Sequence, residues 1–251
     1  GATYTSKAVL SAVASALGQE AGMQADAAPE TIAAADAYMG LGVVSSGRIG
    51  PGKDDKDVQV YSFNEVYAGA IFDADGKILY LNVDQLEVAT PNYDGESMPH
   101  LSGLPGQPGY NMDANHDEKV DGVSENTEDS FLAEIAAWTT KRERGEGYKL
   151  NTTTWRNEMD AFQKIFTGMT VDEVDAWFAK YTSDVNGRPL KADSSNEQDV
   201  AKYGALSDSD KAYLADVTSS ATMSLKDAHG DILAAIRKSL EHQVAVDLTV
   251  G

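Results

Sequence analysis
Near the C-terminus stands a run of hydroxyl side chains, Thr218-Ser219-Ser220-Ala221-Thr222-Met223-Ser224, preceded by Asp216. The chain opens on a similar unit, Gly1-Ala2-Thr3-Tyr4-Thr5-Ser6-Lys7. Aligning Thr3 with Thr222 also aligns Ala2 with Ala221, Thr5 with Ser224 and Lys7 with Lys226. In both places an amphipathic helical run is expected to follow. Hydroxyls and unpaired backbone N–H groups at the positive end of a helix are well suited to holding a phosphate. Thr222 is therefore the leading candidate for a phosphate-bearing site, lined by Ser219, Ser220, Ala221 and Ser224. His229, seven residues on, is placed to hydrogen-bond the same ligand. The bland alternative is an ordinary Ser/Thr helix cap.

A second set of candidate ligands lies in the middle of the chain. Asp113, Asn115, Asp117 and Asp121 fall at positions 1, 3, 5 and 9 of a calcium-loop spacing, where hard oxygens can converge on one cation. Glu118 stands where such a loop has its glycine, so the match is partial. His100, His116 and His242 show no metal-ligand spacing. Trp138, Trp155, Trp177 and Tyr148 could stack on a planar ring, although their spacing suits core packing better. Lys141, Arg142 and Arg144 form the basic cluster, read as a solvated turn pairing with Glu143 and Glu146.

The elements that position these residues read as α+β. The segment from Val58 to Phe72 is rich in β-branched and aromatic residues. The turn Asp73-Ala74-Asp75-Gly76-Lys77 follows, and Ile78 to Val88 returns, giving a β-hairpin. Residues from about 90 to 130 hold Pro91, Pro99, Pro105 and Pro108 among many Gly, Asn and Asp, and read as a long irregular insertion. Trp155 to Phe166 carries a helical stripe of Trp155, Met159, Phe162 and Phe166. Thr170 and Glu173 form a capping box for the next helix. Ser207 caps another short helix, and the last helix is expected from about Lys226 to His242. Lys7 to Leu17 reads as an Ala-rich helix, followed by a linker to about residue 35.

The hydroxyl run resembles the attachment motif of the FMN-binding domain family, Asp-x-x-Ser/Thr-Gly-Ala-Thr, through Asp216, Ser219, Ala221 and Thr222. Ser220 stands where the family has Gly. The hairpin also resembles the core of these domains. Lys141-Arg142, Gly145, Tyr148, Trp155, Met159 and Gly168 to Glu173 resemble extracytoplasmic FMN-binding-type proteins of anaerobic Gram-positive bacteria. The resemblance implies an antiparallel sheet with packed helices, and FMN joined to Thr222 by a phosphoester bond. It implies a flavin transferase for loading, a redox partner protein or small electron acceptor, and a place at the cell surface or in secreted form. Gly1-Ala2-Thr3 resembles the tail of the same motif. Residues 1–35 are therefore expected to be the remnant of an upstream unit, with Thr3 a second attachment site and residues 36–251 forming the domain itself. The function implied is electron transfer rather than substrate turnover. The alternative is a flavin-free surface module stabilised by calcium.

With 40 acidic against 20 basic residues, the chain carries a formal net charge of −20. At long range it repels nucleic acid and anionic membranes. The chain has no cysteine, which excludes thiol catalysis, disulfides and cysteine-ligated clusters within it. No apolar run is long enough to span a bilayer, so membrane attachment would need an anchor outside this sequence.

Overall fold
The computed structural model describes residues 36–93, 98–150, 153–226 and 230–246. The expectations for Thr3, His229, the Lys7–Leu17 helix and the linker fall outside these residues. The architecture is α+β, as the sequence suggested. Strands β1 (Ala37–Lys53), β2 (Gln59–Asp73) and β3 (Ile78–Ala89) are antiparallel and form an open sheet with the short edge strand β6 (Val244–Val246). The order is β3-β2-β1-β6. Two further strands of two residues each, β4 (Asn111–Met112) and β5 (Gly122–Val123), pair inside the irregular insertion.

The β2–β3 hairpin forms because its turn chemistry and its alternation agree. Asp73 accepts N–H bonds from Asp75 at 2.9 Å and Lys77 at 2.8 Å. Gly76 takes a φ of 76°, a left-handed conformation that costs other residues more. Alternate side chains then point inward, and the inner face divides in two. One end is apolar, with Ala68, Ala70, Phe72, Leu81 and Val83 buried. The other end is polar, with Ser62, Asn64, Gln85 and Glu87 also buried.

Seven α-helices are described: α1 (Glu128–Ala136), α2 (Lys141–Arg144), α3 (Trp155–Phe166), α4 (Val171–Tyr181), α5 (Glu197–Gly204), α6 (Asp208–Val217) and α7 (Ile232–Glu241). One 3₁₀ turn, Gly145–Gly147, follows α2. The apolar stripe of α3 is buried as expected, and Phe166 meets Trp177 of α4 edge-on at 5.3 Å. Trp155 and Trp177 are thus part of the core. The capping box of α4 is present, as is the Ser207 cap of α6.

Two elements differ from the sequence reading. Strand β1 is long, although its Gly40, Gly42, Gly47, Ser45 and Ser46 argue against a strand. The reason is close packing. A Cβ on Gly40 would lie 1.8 Å from the Ser239 carbonyl oxygen, and one on Gly42 would lie 1.9 Å from that of Ala235. Helix α7 can cross β1 this closely only because the side chains are missing. The second difference is where that last helix begins. Asp231 caps it by accepting the Ala234 N–H at 2.8 Å, so α7 starts at Ile232 and not near Lys226. Among the described residues no helix is long and apolar enough to cross a membrane.

Candidate functional site
Because α7 starts late, Thr222 does not sit at a helix N-terminus. It lies in the loop that leaves α6, and the helix-end argument for a phosphate there is corrected accordingly. What the loop meets is a carboxylate. Glu158, in the first turn of α3 and only 1% exposed, accepts the N–H of Thr222 and the N–H of Met223, each at 2.7 Å. The Thr222 hydroxyl donates to the same carboxylate at 3.1 Å. Glu158 therefore occupies the place at the Thr222 backbone that an external anion would take.

Around this clamp opens a cleft of about 430 Å³, within the size range of small-molecule sites. Thr222, Met223, Ser224 and Glu158 form one wall, and Tyr148 and Trp155 line it as well. Lys149 and Arg188 are exposed and contribute to its lining, while Lys141 and Gln85 line it from the buried side. Three cations on one cleft are notable in a chain with a net charge of −20. The donor set suits an anionic ligand with a flat aromatic part: guanidinium and ammonium groups for a phosphate, aromatic side chains for a ring.

Of the hydroxyl run, Thr222 and Ser224 line this cleft. The Ser224 hydroxyl donates to the Asn186 carbonyl, in the turn that also brings in Arg188. Ser219 and Ser220 do not line it. Their hydroxyls donate to the carbonyls of Asp216 at 2.6 Å and Val217 at 3.4 Å, closing the end of α6. Ala221 is fully buried in the core.

The basic cluster is not a solvated turn. Lys141 is 2% exposed, and its Nζ lies 2.8 Å from Glu87 of β3. Arg142 ties β3 to α3, donating to the Val83 carbonyl and Gln163 at 2.6 Å each and pairing with Asp160 at 2.8 Å. Arg144 lies over the Tyr148 ring, 4.5 Å from its centre. Burial pushes the Arg144 pKa below the usual arginine value, against the pull of Tyr148, Glu87 and Asp84. Glu143 instead caps α2, and Glu146 lies 3.5 Å from Arg156. The signal for this arrangement was the inward register of Gln85 and Glu87 on β3, two polar side chains where the alternation predicts apolar ones.

The structure brings Asp113, Asn115, Asp117 and Asp121 into one loop, but their oxygens serve its backbone. Asp113 accepts the N–H of Asp117 at 3.1 Å and of Glu118 at 2.9 Å. Asp121 accepts those of Ala114 at 3.1 Å and Asn115 at 3.2 Å. Among the described residues, no three His, Cys, Asp or Glu side chains are grouped to hold a metal ion.

No protein-family model matches the chain, and no solved structure matches it. The resemblance to FMN-binding domains therefore rests on the residues quoted for it. The chain is similar to a protein of Desulfitobacterium hafniense named chlorophenol reductase, with 30% identity over 217 residues. The match covers 83% of this chain and 59% of that protein, so the chain spans less than two thirds of its relative's length.

Proposed function
We propose that this chain is a redox protein that holds a flavin of the FMN type in the cleft beside Thr222. The observation that carries the reading is the cleft itself, which combines three cations, two aromatic side chains and the Thr222 hydroxyl in a strongly acidic chain. Similarity to a protein named as a reductase supports a redox role. When bound, the flavin would supply the electron-carrying ring. The residues of the chain do the rest. Lys149 and Arg188 would meet the phosphate and Tyr148 and Trp155 would shield the ring from water, while Glu158 holds the Thr222 segment in place. Thr222 is the group that would carry the phosphate as an ester; the same reading has the protein act outside the cytoplasm and pass electrons to a protein or small-molecule acceptor.

A flavin-free binding module is the second reading. The observation in its favour is that Glu158 already takes the two N–H groups beside Thr222. One experiment separates the two. Protein produced together with a flavin transferase should gain the mass of one FMN adduct on the peptide containing Thr222, and Thr222→Ala should not. An unmodified Thr222 peptide would remove covalent attachment. Colourless protein that also fails to bind added FMN would remove the flavin reading altogether.

A further inference from the structure
The buried pair beneath the cleft calls for a reason beyond stability. Lys141 and Glu87 are 2% and 3% exposed. A buried ion pair roughly offsets its own desolvation, and an apolar pair of similar volume would serve the fold as well. The pair sits at the polar end of the inner sheet face, among Asn64 and Gln85, whose side chains bond each other at 2.7 Å. It is also asymmetric in charge. Arg48 approaches the other Glu87 oxygen at 3.8 Å, so one carboxylate lies between two cations. Of the three, Lys141 is the group that lines the cleft, so the pair turns its positive end toward it. Lys141 Nζ is 5.4 Å from the centre of the Tyr148 ring and 6.0 Å from that of Trp155, both cleft-lining residues. An ammonium has three donors, and the Glu87 contact at 2.8 Å needs only one of them.

We propose that Lys141 is a positioning residue that gives the cleft a preference for the more negative, reduced form of its ring ligand, with Glu87 setting the strength of that preference. The inference rests on the flavin reading above. Reduction adds two electrons and one proton to the ring, taken from a reductant, so the ring gains one negative charge. A fixed cation in a low-dielectric site stabilises that added charge and does little for the neutral ring. The same linkage holds whichever form binds first.

The test uses the full chain and FMN as the probe. Affinities are measured anaerobically for oxidised FMN and for FMN reduced with dithionite, by fluorescence or calorimetry. Lys141→Met should lower the ratio of reduced to oxidised affinity about tenfold, which for two electrons is about 30 mV in midpoint potential. Lys141→Arg should keep the ratio near that of the wild type. Glu87→Gln should raise it several-fold, because the opposing carboxylate is gone. Opposite shifts in the two neutralising variants are a result that loosened packing would not give. Thermal melting of each variant identifies any that has failed to fold, and the surviving charge variant then decides. Equal ratios in wild type, Lys141→Met and Glu87→Gln would overturn the role of Lys141 while leaving the flavin reading standing. A wild-type chain that binds neither form of FMN would overturn both.

Discussion

Glu158→Ala is expected to destabilise the folded chain by about 3 kcal/mol. The substitution strands the N–H groups of Thr222 and Met223 and the Thr222 hydroxyl, all of which bond the Glu158 carboxylate. Each buried donor left without a partner costs about 1–3 kcal/mol, and water entering from the cleft recovers part of that. Glu158→Gln keeps one acceptor oxygen and most of the shape, so it should cost about half as much. The difference between the two variants isolates the bonds from the charge. Urea unfolding with a common slope measures both. A loss below about 1 kcal/mol for the alanine variant would mean that the carboxylate does not organise the Thr222 loop. The same substitution should raise the hydrogen-exchange rate at Thr222 and Met223 before other amides, because only their partner has been removed.

The second large effect lies where β1 meets α7, on the same inner face of the sheet that carries Gln85 of the cleft. Gly42→Ala should cost about 3 kcal/mol or more, the upper range for overpacking. The new Cβ would fall 1.9 Å from the Ala235 carbonyl oxygen and 2.6 Å from the Ser239 nitrogen. Both are backbone atoms of α7, so a rotamer change cannot relieve the clash and the helix itself must move. Gly47→Ala supplies the internal control. It is the same change on the same strand, and nothing lies within 4 Å of the added atom. Its effect should stay within about 0.5 kcal/mol. Similar midpoints for the two variants would contradict the close crossing of α7 over β1.

Much of the fold was legible because local signals and burial coincide. The Asp-Gly turn and two alternating runs gave the β2–β3 hairpin, and the stripe from Trp155 to Phe166 gave α3. Strand β1 was hidden because the property that places it, room for a helix backbone, calls for glycine, the residue that local propensity reads as irregular. The start of α7 was misplaced because helical periodicity was carried back past Gly230 and the Asp231 cap. At the site, Thr222 and Ser224 stood out as hydroxyls in a run. Glu158 did not, since an acidic residue in a first helical turn normally marks a favourable dipole contact at the surface. Only the fold shows that it shares a buried face with Phe162, one turn on. Lys141 and Glu87 are far apart in sequence: the inward register of Glu87 on β3 marks a buried carboxylate, but nothing around Lys141 marks it as the partner.

The central claim is that the cleft beside Thr222 holds a flavin through its cations and aromatic side chains. Equilibrium titration of the purified chain with FMN, followed by quenching of flavin fluorescence, tests it most directly. The account predicts saturable one-to-one binding, weakened at least tenfold when Lys149 and Arg188 are both changed to Glu, with the melting temperature of the variant unchanged. Absence of saturable binding, or binding that the double charge reversal leaves untouched, would contradict it.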